Sequence, residues 1–416
     1  MSARFRQAAA AVDEARLWNR HVEMARHGAR DDGGVNRQAL SPEDAAARQL
    51  LVAWATEAGF ACATDPIGNL FVRREGREPG AAPVLAGSHL DSQPAGGRFD
   101  GVYGVLAGLE ALQAIDQAGL ATRRPIEVVA WCNEEGSRFA PGAMGSAAFA
   151  GAQPLPALLD IRDREGTRVE DALAATLAAG PPLRQRPLGF PLAAYIEAHI
   201  EQGPVLEAEG RTLGVVTAIQ GARWFTVEVQ GSAAHAGTTP LRSRRDALRS
   251  AISLVTRIEE AMDDPTDTLR FTVGRFEVSP NSPNTVPERV AFSIDLRHPD
   301  PCVLDERART VTALCRASRQ PCEVEVRELL NLAPVQFDET VVALIERSAA
   351  TLGVPTMRMP SGAFHDAMHL ARLCPAGMVF IPCAGGISHS PRESARSSDL
   401  AAGARVLGAV LFELAR

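Results

Sequence analysis

The chain has 416 residues, 46% hydrophobic, 22% charged and 5% aromatic, with a formal net charge of −7. That length allows two or three domains, and the apolar content excludes disorder as the main state. The acidic balance excludes a nucleic-acid partner, and no run approaches the ~20 apolar residues of a membrane span. The seven cysteines are scattered without a CxxC pair, which indicates reduced thiols and a cytoplasmic protein.

The segment up to about Gly59 is helical in pattern. Ser41 caps PEDAAARQLLVAWATEAGF, with Pro42 in the first turn followed by two acids. A strand pair follows around ACATDPIGNLFVRR. PVLAGSHLD then reads as a buried strand, GVYGVLAGLEALQAIDQAGL as a helix, and IEVVAWCNEEG as a strand ending in acids. This βαβ rhythm predicts an α/β fold with a mixed sheet covered by helices, and chemistry at the strand ends. Residues 151–192 read as a connection holding one helix, VEDALAATLAAG, and YIEAHIEQGP as a further strand.

From Gly214 the pattern becomes strand, helix, two strands, helix, strand: a ferredoxin-like βαββαβ unit. After about residue 330 the first style returns, with a helix over 338–352, the strand AGMVFIPC and a closing helix. The predicted domains are therefore 1–213 and 330–416 as one catalytic domain, and 214–329 as an inserted lid or dimerisation domain. A free sheet face or edge on the insert predicts pairing with a second copy.

Chemistry concentrates in a few polar clusters. In GSHLDSQPAGGRFDG, His89 ends a strand and Asp91, two residues on, points the same way and can support its ring. Asp100 sits in a glycine-rich turn that lets a carboxylate reach back. In WCNEEGSRF, Glu134 and Glu135 point in different directions, so one can bind metal while the other handles a proton. EAHIEQGP adds His199, and ISHSPRE adds His389. Asp100, Glu135 and three histidines suit two divalent metals sharing one carboxylate, and nitrogen and oxygen donors suit Zn, Mn, Co or Ni.

GSHLDSQPAGGRFDGVYGVLAGLEAL, NEEGSRF, EAHIEQGPVLE, GSAAHAGTTPL, NTVPERVAFSIDLRH, SGAFHDA and GISHSPRE together resemble the amidase/hydantoinase/carbamoylase family, within the aminoacylase-like co-catalytic metallopeptidases. The resemblance runs in order from about residue 40 to the C-terminus. It implies that His89 and His199 bind one metal, that Glu135 and His389 bind the other, that Asp100 bridges, and that Glu134 is the general base. It also implies a homodimer through the insert, with His235, Asn284 and Arg297 reaching a small-molecule substrate and Gln202 contacting it near the metals. Arg297 offers a fork for a carboxylate, and His235 a donor for an oxyanion. Gly362 and Ala363 line the substrate pocket in this reading, with His365 and Asp366 in a first helical turn. Two positions depart from the family pattern: Phe364 stands where glycine is frequent, and Ser390 where asparagine is frequent. The expected activity is hydrolysis of the carbamoyl C–N bond of an N-carbamoyl-L-amino acid. Allantoate or N-carbamoyl-β-alanine are alternative substrates, and an aminoacylase, a peptidase or a non-catalytic binding protein are remoter ones.

Overall fold

The computed structural model describes residues 3–318 and 321–416; Met1, Ser2, Arg319 and Gln320 lie outside them. Two compact units are present: one spans residues 1–217 and 337–416, the other Ala218–Gln336. The sequence had set the insert at 214–329. At the front, where the sequence reading has the single strand RWFTVEVQGS, LGVVTAIQGARWFTVEVQ forms two strands, Leu213–Ile219 and Gly221–Gln230. Only Gln220 separates them, and most of the first strand belongs to the larger unit.

In the larger unit, described strands follow the order Leu213–Ile219, Ala376–Ile381, Ala194–Ile200, Val84–His89, Ile126–Trp131, Leu70–Arg74, Ala61–Thr64 and Arg184–Gln185. The four from Ala376–Ile381 to Ile126–Trp131 are parallel to one another. Every residue in these four is buried, which explains why they read as continuous apolar runs rather than alternating ones. Leu70–Arg74 and Leu213–Ile219 flank them antiparallel. The helices Val102–Gln117 and Ser397–Ala415 are themselves largely buried and pack together against the sheet. Parallel strands place all their carboxyl ends on one side, where α/β sheets build their sites.

The opening segment is less helical than its sequence pattern. Helices cover Ala3–Ala10, Glu14–Met24 and Pro42–Glu57, while residues 25–41 form turns. There the buried Arg37 guanidinium donates to the carbonyls of Leu90, Met24 and His27. Ser41 does cap its helix, accepting the Asp44 N–H.

The second unit has the expected βαββαβ order. Its strands are Gly221–Gln230, the broken pair Arg270–Thr272 and Phe276–Ser279, Arg289–His298 and Glu323–Leu332; its helices are Ala247–Ala261 and Pro301–Ala317. The antiparallel sheet has Arg289–His298 and Gly221–Gln230 at its centre. One face is apolar, with Phe225, Val227, Phe292 and Ile294 meeting Leu254, Ile258, Leu304 and Val311 of the helices. The unit's two ends pair with each other, Ile219 with Val335 and Ala218 with Gln336.

Candidate metal centre

The clusters seen in the sequence converge at the carboxyl ends of the four parallel strands. His89 ends Val84–His89, and Glu134 and Glu135 follow Ile126–Trp131. His199 is the last residue but one of Ala194–Ile200, and His389 lies in the loop after Ala376–Ile381. Asp100 occupies their centre. Its Oδ1 lies 3.2 Å from His199 Nε2 and 3.7 Å from His89 Nε2. Its Oδ2 lies 3.2 Å from His389 Nε2, which in turn lies 3.5 Å from Glu135 Oε2. Two groups of potential metal ligands result, His89–Asp100–His199 and Asp100–Glu135–His389, each within 4.8 Å. They share Asp100 through different oxygens.

The histidine tautomers fit metal binding. His89 Nδ1 donates to the Asp91 carbonyl and His199 Nδ1 to the Ile200 carbonyl, both at 2.9 Å. That fixes a proton on each Nδ1 and leaves both Nε2 atoms on the Asp100 side, where a cation can replace any proton they carry. Asp91 thus supports His89 through its backbone rather than its side chain, whose Oδ1 is 3.7 Å from Nδ1. The Asp91 carboxylate serves a different purpose, accepting the backbone N–H groups of Glu134 at 3.2 Å and Glu135 at 3.1 Å.

The two glutamates are differentiated. Glu135 is held by Gln93, which donates its backbone N–H at 3.1 Å and its side-chain amide at 2.7 Å. Glu134 falls outside both ligand groups and lies 3.5 Å from His89 Nε2. Burial, reinforced by Asp366 and Glu135, holds the Glu134 carboxyl well above the usual carboxylate range. Burial and Asp100 push Glu135 up to about 8. Asp100 is also buried, but hydrogen bonds with His199 and His389 hold its carboxyl well below the usual range. His199 is pushed up to about 9, since Asp100 outweighs the burial that would lower it. Crowded carboxylates that draw protons onto neighbouring imidazoles make a site suited to divalent cations, which replace those protons.

Backbone conformation carries part of the geometry. Asn133, Gln202 and His389, none of them glycine, have φ of 53°, 58° and 51°. Such left-handed positions are costly and cluster where a site over-determines the chain. Gly101 has φ 65°, and any Cβ there would lie 2.3 Å from the His89 ring. The Gln202 amide donates to Asp100 Oδ2 at 2.9 Å.

The SGAFHDA loop enters the site differently from its sequence reading. His365 is buried, its ring centroid 4.5 Å from that of His199, and its Nε2 is 3.0 Å from Ser361 Oγ. Gly362 and Ala363 lie in the loop leading to it. Asp366 makes no cap for the short helix Ala367–Leu370; the buried Glu197 accepts the Ala367 N–H instead, at 2.9 Å.

The remaining predicted residues lie in the second unit. His235 is exposed on a two-residue strand paired with Thr285 and Val286. Its Nδ1 accepts N–H bonds from Gly237 and Thr238, at 3.0 and 3.2 Å, so the ring proton sits on the outward Nε2. The Asn284 Oδ1 accepts from Ser282, and Asn284 is exposed. Arg297 is not waiting with an open fork: its Nε and Nη2 meet Asp295, two residues earlier on the same strand face, at 3.2 and 2.9 Å.

The sequence reading missed Glu393, Ser388 and Gln93. Gln93 and Ser388 lie inside motifs that were recognised, as does Glu393, but nothing in the spacing tells what they touch.

Comparison with known proteins gives a consistent grouping. Residues 85–413 match peptidase family M20/M25/M40. The chain is 42% identical over 405 residues to an N-carbamoyl-L-amino acid amidohydrolase of Geobacillus stearothermophilus, covering 96% of this chain and 98% of that one. It is 34% identical to the allantoate amidohydrolase of Bacillus subtilis strain 168, covering 94% and 95%. The crystal structure of a hydantoinase/carbamoylase family amidase from Burkholderia multivorans superimposes with a TM-score of 0.92 at 45% identity, over 97% of this chain and 98% of that one.

Proposed function

The chain belongs to peptidase family M20/M25/M40, among its hydantoinase/carbamoylase amidases, and from that premise we propose that it hydrolyses the carbamoyl C–N bond of N-carbamoyl-L-amino acids. One water is consumed, and the products are the L-amino acid, ammonia and carbon dioxide. The observation that carries the reading is the sharing of Asp100 between two nitrogen-and-oxygen ligand groups, with Glu134 beside them and outside both.

Two divalent ions, Zn, Mn, Co or Ni, fit these donors: His89 and His199 would hold one, Glu135 and His389 the other, and Asp100 both. Such ions supply Lewis acidity to the carbonyl and acidify the attacking water. Glu134 accepts the proton of that water and returns it to the departing nitrogen. Its buried setting suits the task, because burial, reinforced by Asp366 and Glu135, raises its carboxyl above the usual carboxylate range and so strengthens its hold on a proton. Gln202, beside Asp100, contacts the ureido group, and Gly362 and Ala363 line the pocket. His235 presents an N–H to the oxyanion, and Asn284 and Arg297 bind the substrate carboxylate.

We further propose a homodimer through the second unit. A cytoplasmic location agrees with the seven cysteines, all of them free thiols. No helix among the described residues is long and apolar enough to cross a membrane.

The test is a substrate panel on metal-reconstituted protein, following ammonia release. N-carbamoyl-L-amino acids are expected to give the highest kcat/KM. A higher value for allantoate makes the chain an allantoate amidohydrolase. Turnover of N-acetyl amino acids or dipeptides with none of any ureido compound overturns the assignment.

A further inference from the structure

Glu393 lies 293 residues beyond Asp100, yet its carboxylate is built around it. Glu393 Oε1 accepts the backbone N–H of Phe99 at 2.8 Å and of Asp100 itself at 3.1 Å. Glu393 Oε2 lies 3.0 Å from Ser388 Oγ, and the same hydroxyl lies 3.0 Å from Asp100 Oδ2. Glu393 is only 5% exposed. Room for it is made by Gly97, where a Cβ would fall 2.0 Å from the Glu393 carboxyl. Glu393 accepts the Asp100 backbone N–H and shares with the Asp100 side chain the Ser388 hydroxyl, whose single proton goes to one carboxylate at a time, so that Asp100 meets this pair at two places.

We propose that Glu393 is a positioning residue for the shared metal ligand: with Ser388 it sets where the two oxygens of Asp100 point, and so the geometry of both metal positions. This rests on the two-metal reading above. Neither Glu393 nor Ser388 belongs to a ligand group, so their contribution is orientation. Asp100 ends a glycine-rich turn, GGRFD, and precedes Gly101; its carbonyl accepts the Val102 N–H at 2.7 Å, and the Gln202 amide also donates to its Oδ2 at 2.9 Å. Partners behind a ligand change metal affinity by about 10–100-fold when removed.

The experiment titrates Co²⁺ alone into the metal-free full chain and into Glu393→Ala, Glu393→Gln and Ser388→Ala. Stoichiometry, affinity and the visible Co²⁺ absorption bands are read, with thermal midpoints as the folding control. In the unsubstituted chain two Co²⁺ ions are expected; a failure to bind any overturns the metal reading itself and is visible before any variant is compared. Glu393→Ala is expected to weaken Co²⁺ binding about 10–100-fold and to alter the bands. Glu393→Gln keeps an acceptor for the Phe99 and Asp100 N–H groups and is expected to restore most of the affinity. Ser388→Ala removes only the side-chain connection; it is expected to alter the bands while the thermal midpoint stays, and it decides the matter if Glu393→Ala does not fold. Two Co²⁺ ions bound with unchanged affinity and spectrum in folded Glu393→Ala, or an unchanged spectrum in Ser388→Ala where Glu393→Ala does not fold, would overturn the proposal.

Discussion

Asp91 accepts the backbone N–H of Glu134 through Oδ1 at 3.2 Å. Its other oxygen takes the N–H of Glu135 at 3.1 Å, so one carboxylate fixes the turn from which the two glutamates diverge. The turn follows Asn133, whose φ is 53°, and such a conformation needs outside support. Burial pushes Asp91 up to about 6, yet the contacts it makes need only acceptors.

Asp91→Asn tests this support. The amide must turn an NH₂ towards one of the two N–H groups, where two donors meet. The expected result is a fall in kcat of about 10–100-fold, the range for residues that orient a metal site, with the fold retained by circular dichroism. An unchanged kcat would show that the turn holds itself.

Separate roles for Glu134 and Glu135 predict separate losses. Chelation should abolish activity, and Mn²⁺, Co²⁺ or Zn²⁺ should restore it. Glu134→Gln keeps the shape but cannot take a proton, so kcat should fall about 10²–10⁴-fold with metal content unchanged. Glu135→Gln should instead lower bound metal, measured by atomic absorption after gel filtration. If metal is lost from the Glu134 variant and kept by the other, the two roles are reversed.

Much of this centre was legible because its candidate ligands sit at or just after the ends of apolar strands. His89, the glutamate pair and His199 each follow a run of buried residues, and parallel strands must bring such ends together. Two boundaries were not legible. Leu213–Ile219 merges with the next strand through one polar residue, and residues 25–41 are shaped by Arg37, whose acceptors lie up to 53 positions away. The support from Glu393 was hidden in the same way, since sequence spacing says nothing about contacts across 293 residues. The pairing of Arg297 with Asp295 agrees with the alternative reading of Arg297 as a strand-end salt bridge: on a strand, residues two apart share a face, and DLR puts opposite charges there.

His21 predicts a dependence of stability on pH. Its ring is 2% exposed, against Phe99 at 5.3 Å and Tyr103 at 6.1 Å between centroids. Burial pushes its pKa down to about 3, below the ~6.5 of an unfolded histidine. The native state therefore holds fewer protons than the unfolded state. Stability is fully present above about pH 6.5 and is lost as pH falls from there towards 3. At pH 5 the loss from this one group is on the order of 2 kcal/mol. Tyr103 stays neutral throughout, because burial raises its phenol further. His21→Phe should flatten the urea midpoint between pH 7 and pH 5 relative to the unsubstituted chain, whatever its absolute stability. Parallel curves for the two proteins would exclude His21 as the source.

Arg297 gives the sharpest test of whether the second unit reads substrate. Asp295 engages the Nε and Nη2 edge of its guanidinium, so a substrate carboxylate must compete for a side chain that is already engaged. Either way a charged hydrogen bond is formed, and such bonds contribute about 1.5–3 kcal/mol. Arg297→Ala should therefore raise KM about 10–100-fold for substrates with a free carboxylate. Converting that carboxylate to an amide should cost the unsubstituted enzyme a similar factor. The same conversion should cost Arg297→Ala little more, because the partner is already gone. Non-additivity of this kind identifies a direct contact. If the two losses simply multiply, Arg297 does not touch the carboxylate, its role is structural, and the carboxylate is held elsewhere.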